Sequence, residues 1–366
     1  MHLERKINVS CPRYPRNPMA DESWRLPNIV QELAAGVQEP PSRYLLRDHD
    51  QIAGAEIPEP IPTIDLGRLS GSNGADEATK LRSALQNWGL FLVSNHGVET
   101  SLIDAVTEAA REFFRQPVEE KKKHSNLIDG KHFQIEGYGN DPVQTKDQVL
   151  DWSDRLHLKV EPESERNLAF WPTHPKSFRN ILHEYTLKIR TVKINILLAL
   201  AKLLELDEDC LINQFSDKAL TTARFNYYSP CPRPDLVLGL KPHSDLCALT
   251  VLLMDKDVGG LQILRDGTWY SVPTVRDYSL LINFGLTLEI MTNGIFRAPV
   301  HRAVTNAEKE RISVAMFYAV DAEKVIKPVA DVLGLARYRT IKGKDLLVEH
   351  YEHFSRGAKV VDSLKI

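Results

Sequence analysis

Only four of the 366 residues are cysteine (Cys11, Cys210, Cys231 and Cys247), and no two form a CxxC pair. That argues against a disulfide framework or a thiolate zinc site and fits reduced thiols in a cytosolic compartment. A basic surplus is also missing. With 46 Lys and Arg against 49 Asp and Glu, a formal net charge of −3, the chain lacks the electrostatic footprint of a nucleic-acid binder. No apolar run approaches the length of a membrane span; the richest, Ile196 to Ala201, stops at Lys202. The first twenty residues lack the apolar segment of a secretory signal. Neither GxGxxG nor a P-loop surrounds Gly137-Tyr-Gly139 or Gly259-Gly260, so both read as turns rather than phosphate cradles. These absences lead us to expect a cytoplasmic, soluble protein, by default a monomer, with neither a nucleic-acid nor a membrane partner.

What is present is an ordinary globular composition, 43% apolar and 26% charged. Residues 1–18 read as a disordered leader or an upstream extension, since periodic sequence begins only after Met19. Residues 75–88, 100–115, about 176–206 and about 343–354 carry apolar residues at helical spacing. Thr63 to Leu66, Phe91 to Asn95 and Asp154 to Val160 read as strands, and 116–147 as loop. After residue 220 short strand-like runs follow one another: 223–228, 248–254, 261–264, 269–272, 280–283 and 312–319, with turn signals such as Asp266-Gly267 and Asn293-Gly294 between them. Many short strands with intervening turns indicate a sandwich or barrel. The expected organisation is one compact unit: a leader (1–18), a helical and strand region packed on the core (19–220), a β catalytic region (221–325) and a C-terminal helix and tail (326–366). The charged run Glu119 to Lys123 reads as a solvated helix end.

The sharpest chemical signal is His243-Ser244-Asp245. Residues two apart on an extended segment point to one side, so imidazole and carboxylate can share a metal ion. Alone the triplet is weak; roughly every second or third chain of this length contains one by chance. His301 supplies a third ligand, and two histidines with one carboxylate leave the far side of an iron ion open. Ten residues beyond His301, Arg311-Ile-Ser313 sits in a strand pattern and offers a guanidinium fork and a hydroxyl to a carboxylate. Arg224, Asn226 and Tyr228, in Arg224-Phe-Asn-Tyr-Tyr-Ser-Pro-Cys-Pro232, alternate toward the same side.

With these residues the chain resembles the plant 2-oxoglutarate- and Fe(II)-dependent dioxygenases of specialised metabolism. The Asn-Tyr-Tyr run, HxD, distal His and RxS stand in family order, together with Pro62-Thr-Ile-Asp65, Trp88 to Gly97, Glu136-Gly-Tyr-Gly139 and Leu150-Asp-Trp152. The match spans about residues 25–355. Within the family, stretches such as SNLIDGKHFQ, DWSDRLHLKVEPE and VLLMDKDVGGLQILRDGTWY resemble a rice oxygenase that inactivates triketone inhibitors of 4-hydroxyphenylpyruvate dioxygenase, and its paralogues.

The resemblance implies a mainly β fold with flanking helices, a double-stranded β-helix or jelly-roll. It implies Fe(II) on His243, Asp245 and His301, with 2-oxoglutarate chelating the ion. Arg311 and Ser313 would bind the distal carboxylate, with Asn226 and Tyr228 as further contacts. O₂ is the second co-substrate and ascorbate the expected activator. Hydroxylation with release of succinate and CO₂ is the expected reaction; demethylation, desaturation and ring formation are open to the same chemistry. Family matching places Arg155, His157, Arg224 and Phe317 in the substrate pocket, with the C-terminal helix near Tyr351 as a lid. Two arginines and a histidine around an apolar pocket favour an acidic or enolic molecule: a triketone, phenolic acid, jasmonate-type acid or flavonoid. The alternative is that either arginine neutralises Asp151, Asp154 or another core acid. A zinc hydrolase built on the same triad and a non-catalytic jelly-roll binding protein are the competing classes; the first leaves Arg311 and Ser313 without a purpose. One departure stands out. The family usually has Asn-x-Gly-Asp where this chain has Asn283-Phe-Gly-Leu286, which leaves the turn geometry near the pocket open.

Overall fold

The structure, a computed structural model, describes residues 25–47, 52–69, 71, 74–329, 334–355 and 360–366. The expected leader lies outside the described residues, as does the side chain of Tyr351.

Two sheets form the core. The larger has eight strands in the order Thr63–Asp65, Leu90–Ser94, Leu280–Phe284, Leu249–Leu253, Arg311–Tyr318, Thr221–Tyr228, Asp154–Glu161 and Gly137–Gly139. The smaller has five: Ala55–Glu56, Thr268–Ser271, Leu261–Arg265, Val300–Val304 and Leu238–His243. Strands from the N-terminal region thus extend the catalytic sheet at both ends. Together the sheets make the jelly-roll that the sequence implied.

Strand alternation separates the two faces of the large sheet. Phe225, Ile312, Val314, Met316, Leu249, Val251, Ile282 and Phe284 point outward into one apolar cluster. The helices Ala75–Asn87, Thr100–Arg115 and Phe178–Leu203 close over that face. Thr100–Arg115 shows why: Leu102, Ile103, Val106, Ala109, Ala110, Phe113 and Phe114 fall on one stripe and are all buried. The opposite face carries Arg224, Asn226, Tyr228, Arg311, Ser313, Thr250 and Asn283, because each sits one residue from an outward apolar neighbour. The same periodicity that builds the core therefore collects the polar residues inside the barrel.

Several strands escape the sequence pattern, among them Ala55–Glu56 and, within the stretch 116–147 read as loop, Leu127–Ile128 and His132–Phe133. Leu238–His243 and Val300–Val304 hold the two histidines of the triad, and their inward residues are polar, so apolar alternation does not show. Gly137–Gly139, expected as a turn, is an edge strand paired with the strand at 155–157. The charged run at 119–123 is also not wholly solvated. Lys121 is buried, and its ammonium donates to Gln31 Oε1 (2.6 Å) and Phe114 O (2.8 Å).

At the Leu286 departure the backbone, not the side chain, makes the turn. Gly285 N donates to Ala248 O (2.9 Å), Leu286 N to Asp245 O (2.8 Å) and Thr287 Oγ1 to Leu246 O (2.7 Å). A Cβ on Gly285 would stand 1.9 Å from Cys247 O, so only glycine allows this approach. Leu286 then buries its side chain in the main core and starts the short helix Leu286–Met291.

A buried acid fastens the N-terminal segment. Asp154 accepts hydrogen bonds from Val30 N and Gln31 N (both 2.8 Å), at the start of the helix Val30–Ala34, and from Asn140 Nδ2 (3.0 Å). Burial pushes its pKa up to about 6.

Candidate active site

His301 and His243 are direct cross-strand partners in the small sheet, and Asp245 follows immediately after the strand end. The ligand atoms of the three residues lie within 4.8 Å of one another. Both imidazole Nε2 atoms face the same carboxylate oxygen, Asp245 Oδ1, at 3.6 Å from His243 and 3.7 Å from His301. The other ring nitrogens turn to backbone two residues earlier. His243 Nδ1 lies 2.8 Å from Lys241 O, and His301 Nδ1 lies 3.4 Å from Pro299 O. A proton on Nδ1 leaves Nε2 as the ligand lone pair. Ser244 Oγ donates to Pro299 O (3.0 Å) and ties the two ligand segments together.

Asp245 is divided by atom. Oδ2 accepts from Thr250 Oγ1 (2.5 Å) and Asn283 Nδ2 (2.7 Å), two residues that are themselves cross-strand partners. Oδ1 is left toward the histidines. Burial pushes His243 down to about 3, with the neighbouring His301 adding to the shift, so its imidazole is neutral. Burial alone would raise Asp245, but His301, His243, Thr250 and Asn283 together hold it below its ordinary value. Neutral imidazole and ionised carboxylate are the forms that bind a divalent ion. The donor set therefore fits Fe(II) with one side open.

A second element lies deeper between the sheets. Arg311 is 4% exposed, its guanidinium stands 5.0 Å from the Tyr228 ring centre, and its Nε has no hydrogen-bond partner among the described residues. Leaving a buried guanidinium donor unpaired is expensive, and a carboxylate from outside the chain would satisfy it. The two residues are paired in register, as are Ser313 and Asn226, whose Nδ2 reaches Ser313 Oγ at 3.4 Å. On the facing sheet Gly239 makes room for the Tyr228 ring; a Cβ there would stand 2.6 Å from Tyr228 Cδ1.

Arg155, His157, Arg224 and Phe317 share this inner face further along the sheet. His157 pairs with Arg224 in register and stacks on Phe317, with ring centres 6.4 Å apart and planes 9° from parallel. Burial, together with Arg155 and Arg224, holds its pKa well below the ordinary histidine value. Both arginines meet an acid, and it is neither of the two considered from sequence. Asp151 binds Lys241 and Asp154 binds the N-terminal helix. The partner is Asp141: Arg155 Nε donates to its Oδ1 (2.7 Å), while Arg224 Nη1 and Nη2 grip both oxygens at 3.0 and 2.7 Å. Thr250, Gly239, Lys241 and Asp141 were missed in the sequence. Only Thr250 left a faint trace, as the polar member of an otherwise apolar strand.

Comparison with known proteins agrees with this geometry. A family model described as the 2OG-Fe(II) oxygenase superfamily matches residues 220–320, and one described as non-haem dioxygenase in morphine synthesis N-terminal matches 61–174. The chain belongs to the 2OG-Fe(II) oxygenase superfamily. It is an Fe(II)- and 2-oxoglutarate-dependent dioxygenase, which sets aside the zinc-hydrolase and binding-protein classes. It is 37% identical over 354 residues to 2-oxoglutarate-dependent dioxygenase 11 of Oryza sativa subsp. japonica, covering 94% of this chain and 97% of the relative. To codeine O-demethylase of Papaver somniferum it is 36% identical over 348 residues, covering 92% and 95%. A solved structure of JOX2 in complex with 2OG, Fe and JA superposes with a TM-score of 0.83 at 32% identity, covering 94% of this chain and 100% of that one.

Proposed function

We propose that His243, Asp245 and His301 hold the Fe(II), that Arg311 and Ser313 take the distal carboxylate of 2-oxoglutarate beside Asn226 and Tyr228, and that the enzyme hydroxylates a small acidic or enolic aromatic or alicyclic molecule. A triketone herbicide or a related plant metabolite is the substrate class we favour. In the balanced reaction substrate C–H, O₂ and 2-oxoglutarate give C–OH, succinate and CO₂. The carrying observation is the convergence of two Nε2 atoms on Asp245 Oδ1 while its second oxygen is held elsewhere.

The bound metal and co-substrate together supply the oxidising power for C–H cleavage. The chain supplies placement. Thr250 and Asn283 fix the carboxylate, and the backbone carbonyls of Lys241 and Pro299 fix the imidazoles. Arg311, on the large sheet, would take one end of the co-substrate while the triad stands on the small sheet, which packs against it where Gly239 meets the Tyr228 ring. The stacked His157 and Phe317 give the substrate an apolar, partly enclosed wall. The solved structure of JOX2 in complex with 2OG, Fe and JA favours a second reading of the same chemistry on a jasmonate-type acid. Phenolic acids and flavonoids fit the same wall.

We also propose that the enzyme works as a cytoplasmic monomer without nucleic-acid or membrane partners. Among the described residues no helix is long and apolar enough to cross a membrane, which is compatible with that view. Cell fractionation and light scattering test it.

The deciding experiment follows succinate release with Fe(II), ascorbate and 2-oxoglutarate against triketones, jasmonates, phenolic acids and flavanones, with mass spectrometry of each product. Succinate coupled to one product bearing an added oxygen supports the proposal. His301→Ala is expected to abolish it, and Arg311→Ala to raise the KM for 2-oxoglutarate steeply. An unchanged KM in Arg311→Ala removes the assignment of that residue. Turnover confined to neutral, non-enolisable compounds removes the substrate class.

A further inference from the structure

We infer that Asp141 sets the charge specificity of the substrate pocket: it fills, from within the chain, the anion seat made by Arg155 and Arg224, so the pocket takes an enol or hydroxyl donor and refuses a carboxylate. This rests on the oxygenase site proposed above and narrows its substrate class.

The seat is built independently of its occupant. Arg155, only 3% exposed, is pinned by Nη1 donating to Ile135 O (2.8 Å) and Gly137 O (3.2 Å). Arg224 is pinned by Nε donating to Asn226 Oδ1 (2.6 Å). With those contacts made, both guanidiniums turn toward one point, and the Asp141 carboxylate stands there. It closes the Nη1–Nη2 fork of Arg224 in the two-bond geometry that a substrate carboxylate would need. Two adjacent buried guanidiniums without an anion would repel and stay desolvated, so the seat demands an occupant.

Asp141 comes from the stretch between the strands Gly137–Gly139 and Asp154–Glu161. At 22% exposed it is more open than Arg155, so the chain's own anion reaches the seat from the outer side. The flanking arginines outweigh burial and hold its carboxyl well below the usual range, so it stays ionised. Among the described residues Oδ2 accepts one bond, from Arg224 Nη2, while a carboxylate oxygen accepts two. The remaining lone pair suits an O–H donor. A carboxylate arriving there meets the Asp141 charge, with Arg155 and Arg224 already committed to that acid and the nearby cation Lys241 paired with Asp151.

The seat also adjoins the co-substrate site, because Arg224 bonds Asn226 and Asn226 bonds Ser313. Any effect of Asp141 that runs only along this chain of contacts would appear in 2-oxoglutarate binding. An effect on specificity would appear in the choice between charged and neutral substrate analogues.

The test uses the full chain loaded with Mn(II) and 2-oxoglutarate, and a set of matched probes: jasmonic acid, cinnamic acid and phenylacetic acid, each with its methyl ester. Dissociation constants are measured for the wild type, Asp141→Asn and Asp141→Glu. In the wild type each ester is expected to bind at least as tightly as its acid. In Asp141→Asn the acid-to-ester preference should shift toward the acid roughly ten- to hundredfold for at least one pair, the size of a charge-assisted hydrogen bond. Asp141→Glu should restore the wild-type order. No pair shifting toward its acid in Asp141→Asn, with 2-oxoglutarate still bound, overturns the inference. A fall in 2-oxoglutarate affinity as the sole change also overturns it and makes Asp141 a positioning residue. Failure of the oxygenase site itself would show separately, as wild-type protein that does not bind 2-oxoglutarate.

Discussion

In the proposed site Asp245 turns Oδ1 to the metal while Thr250 and Asn283 hold Oδ2, so the donors to Oδ2 are where the site is expected to be most sensitive. Thr250→Val keeps the shape of the side chain and removes the hydroxyl that stands 2.5 Å from Oδ2. A hydrogen bond to a buried charge is worth about 1.5–3 kcal/mol, or roughly ten- to hundredfold in an equilibrium constant. If all of that acted on the loaded state, Fe(II) affinity would fall by the full range. Part acts on the metal-free site too, so about tenfold is the expected loss. Asn283→Leu removes the second donor, 2.7 Å away, with a loss of similar size. Both donors serve one oxygen, so the double variant should lose more than the two single effects combined, with a coupling above about 0.5 kcal/mol. Anaerobic Fe(II) titration in competition with Mn(II) reads these values directly. Turnover at saturating Fe(II) should fall less than affinity. Single variants that fold normally and bind Fe(II) within about twofold of the wild type would refute the argument that these two side chains orient the carboxylate.

The Leu286 side chain belongs to the core rather than to the site. Leu286→Ala is expected to destabilise the fold by about 2–4 kcal/mol in urea unfolding. Fe(II) affinity should stay within about twofold, because the backbone N–H of residue 286 makes the bond to Asp245 O; a metal-binding loss larger than the stability loss would contradict this. Asp154 gives a pH signature. Its pKa rises on folding from 3.8 to about 6, so the folded chain holds this proton more tightly than the unfolded chain. Its contribution is therefore favourable at low pH and is lost as pH rises through that window. Asp154→Asn should flatten the fall of Tm with pH between about 4 and 6; an unchanged slope would assign the dependence to other groups.

Much of the molecule was legible before folding. Apolar stripes located the helices Thr100–Arg115 and Phe178–Leu203 to within a few residues, because burial against a sheet requires a continuous 3.6-residue pattern. The strands that back onto those helices showed as β-branched and aromatic runs for the same reason. HxD, the distal histidine and RxS marked the candidate site, since ligands two residues apart on extended backbone must share a side. What stayed hidden was polar on both counts. The strands Leu238–His243 and Val300–Val304 turn their histidines inward, and Gly137–Gly139 sets its single large side chain, Tyr138, between two glycines that read as a turn.

The sequence by itself therefore determined the reaction class and marked the candidate residues for it, because motif spacing survives in one dimension. Tertiary structure alone decided which groups support them. Thr250 and Asn283 lie 33 residues apart and meet on Asp245 only because antiparallel pairing makes them neighbours. Asp141 and Arg224, 83 positions apart, meet only because the stretch between the strands Gly137–Gly139 and Asp154–Glu161 brings Asp141 to the Arg224 guanidinium. A local pattern can announce a ligand; the partner that fixes it, or fills the seat beside it, is chosen by the path of the chain in space.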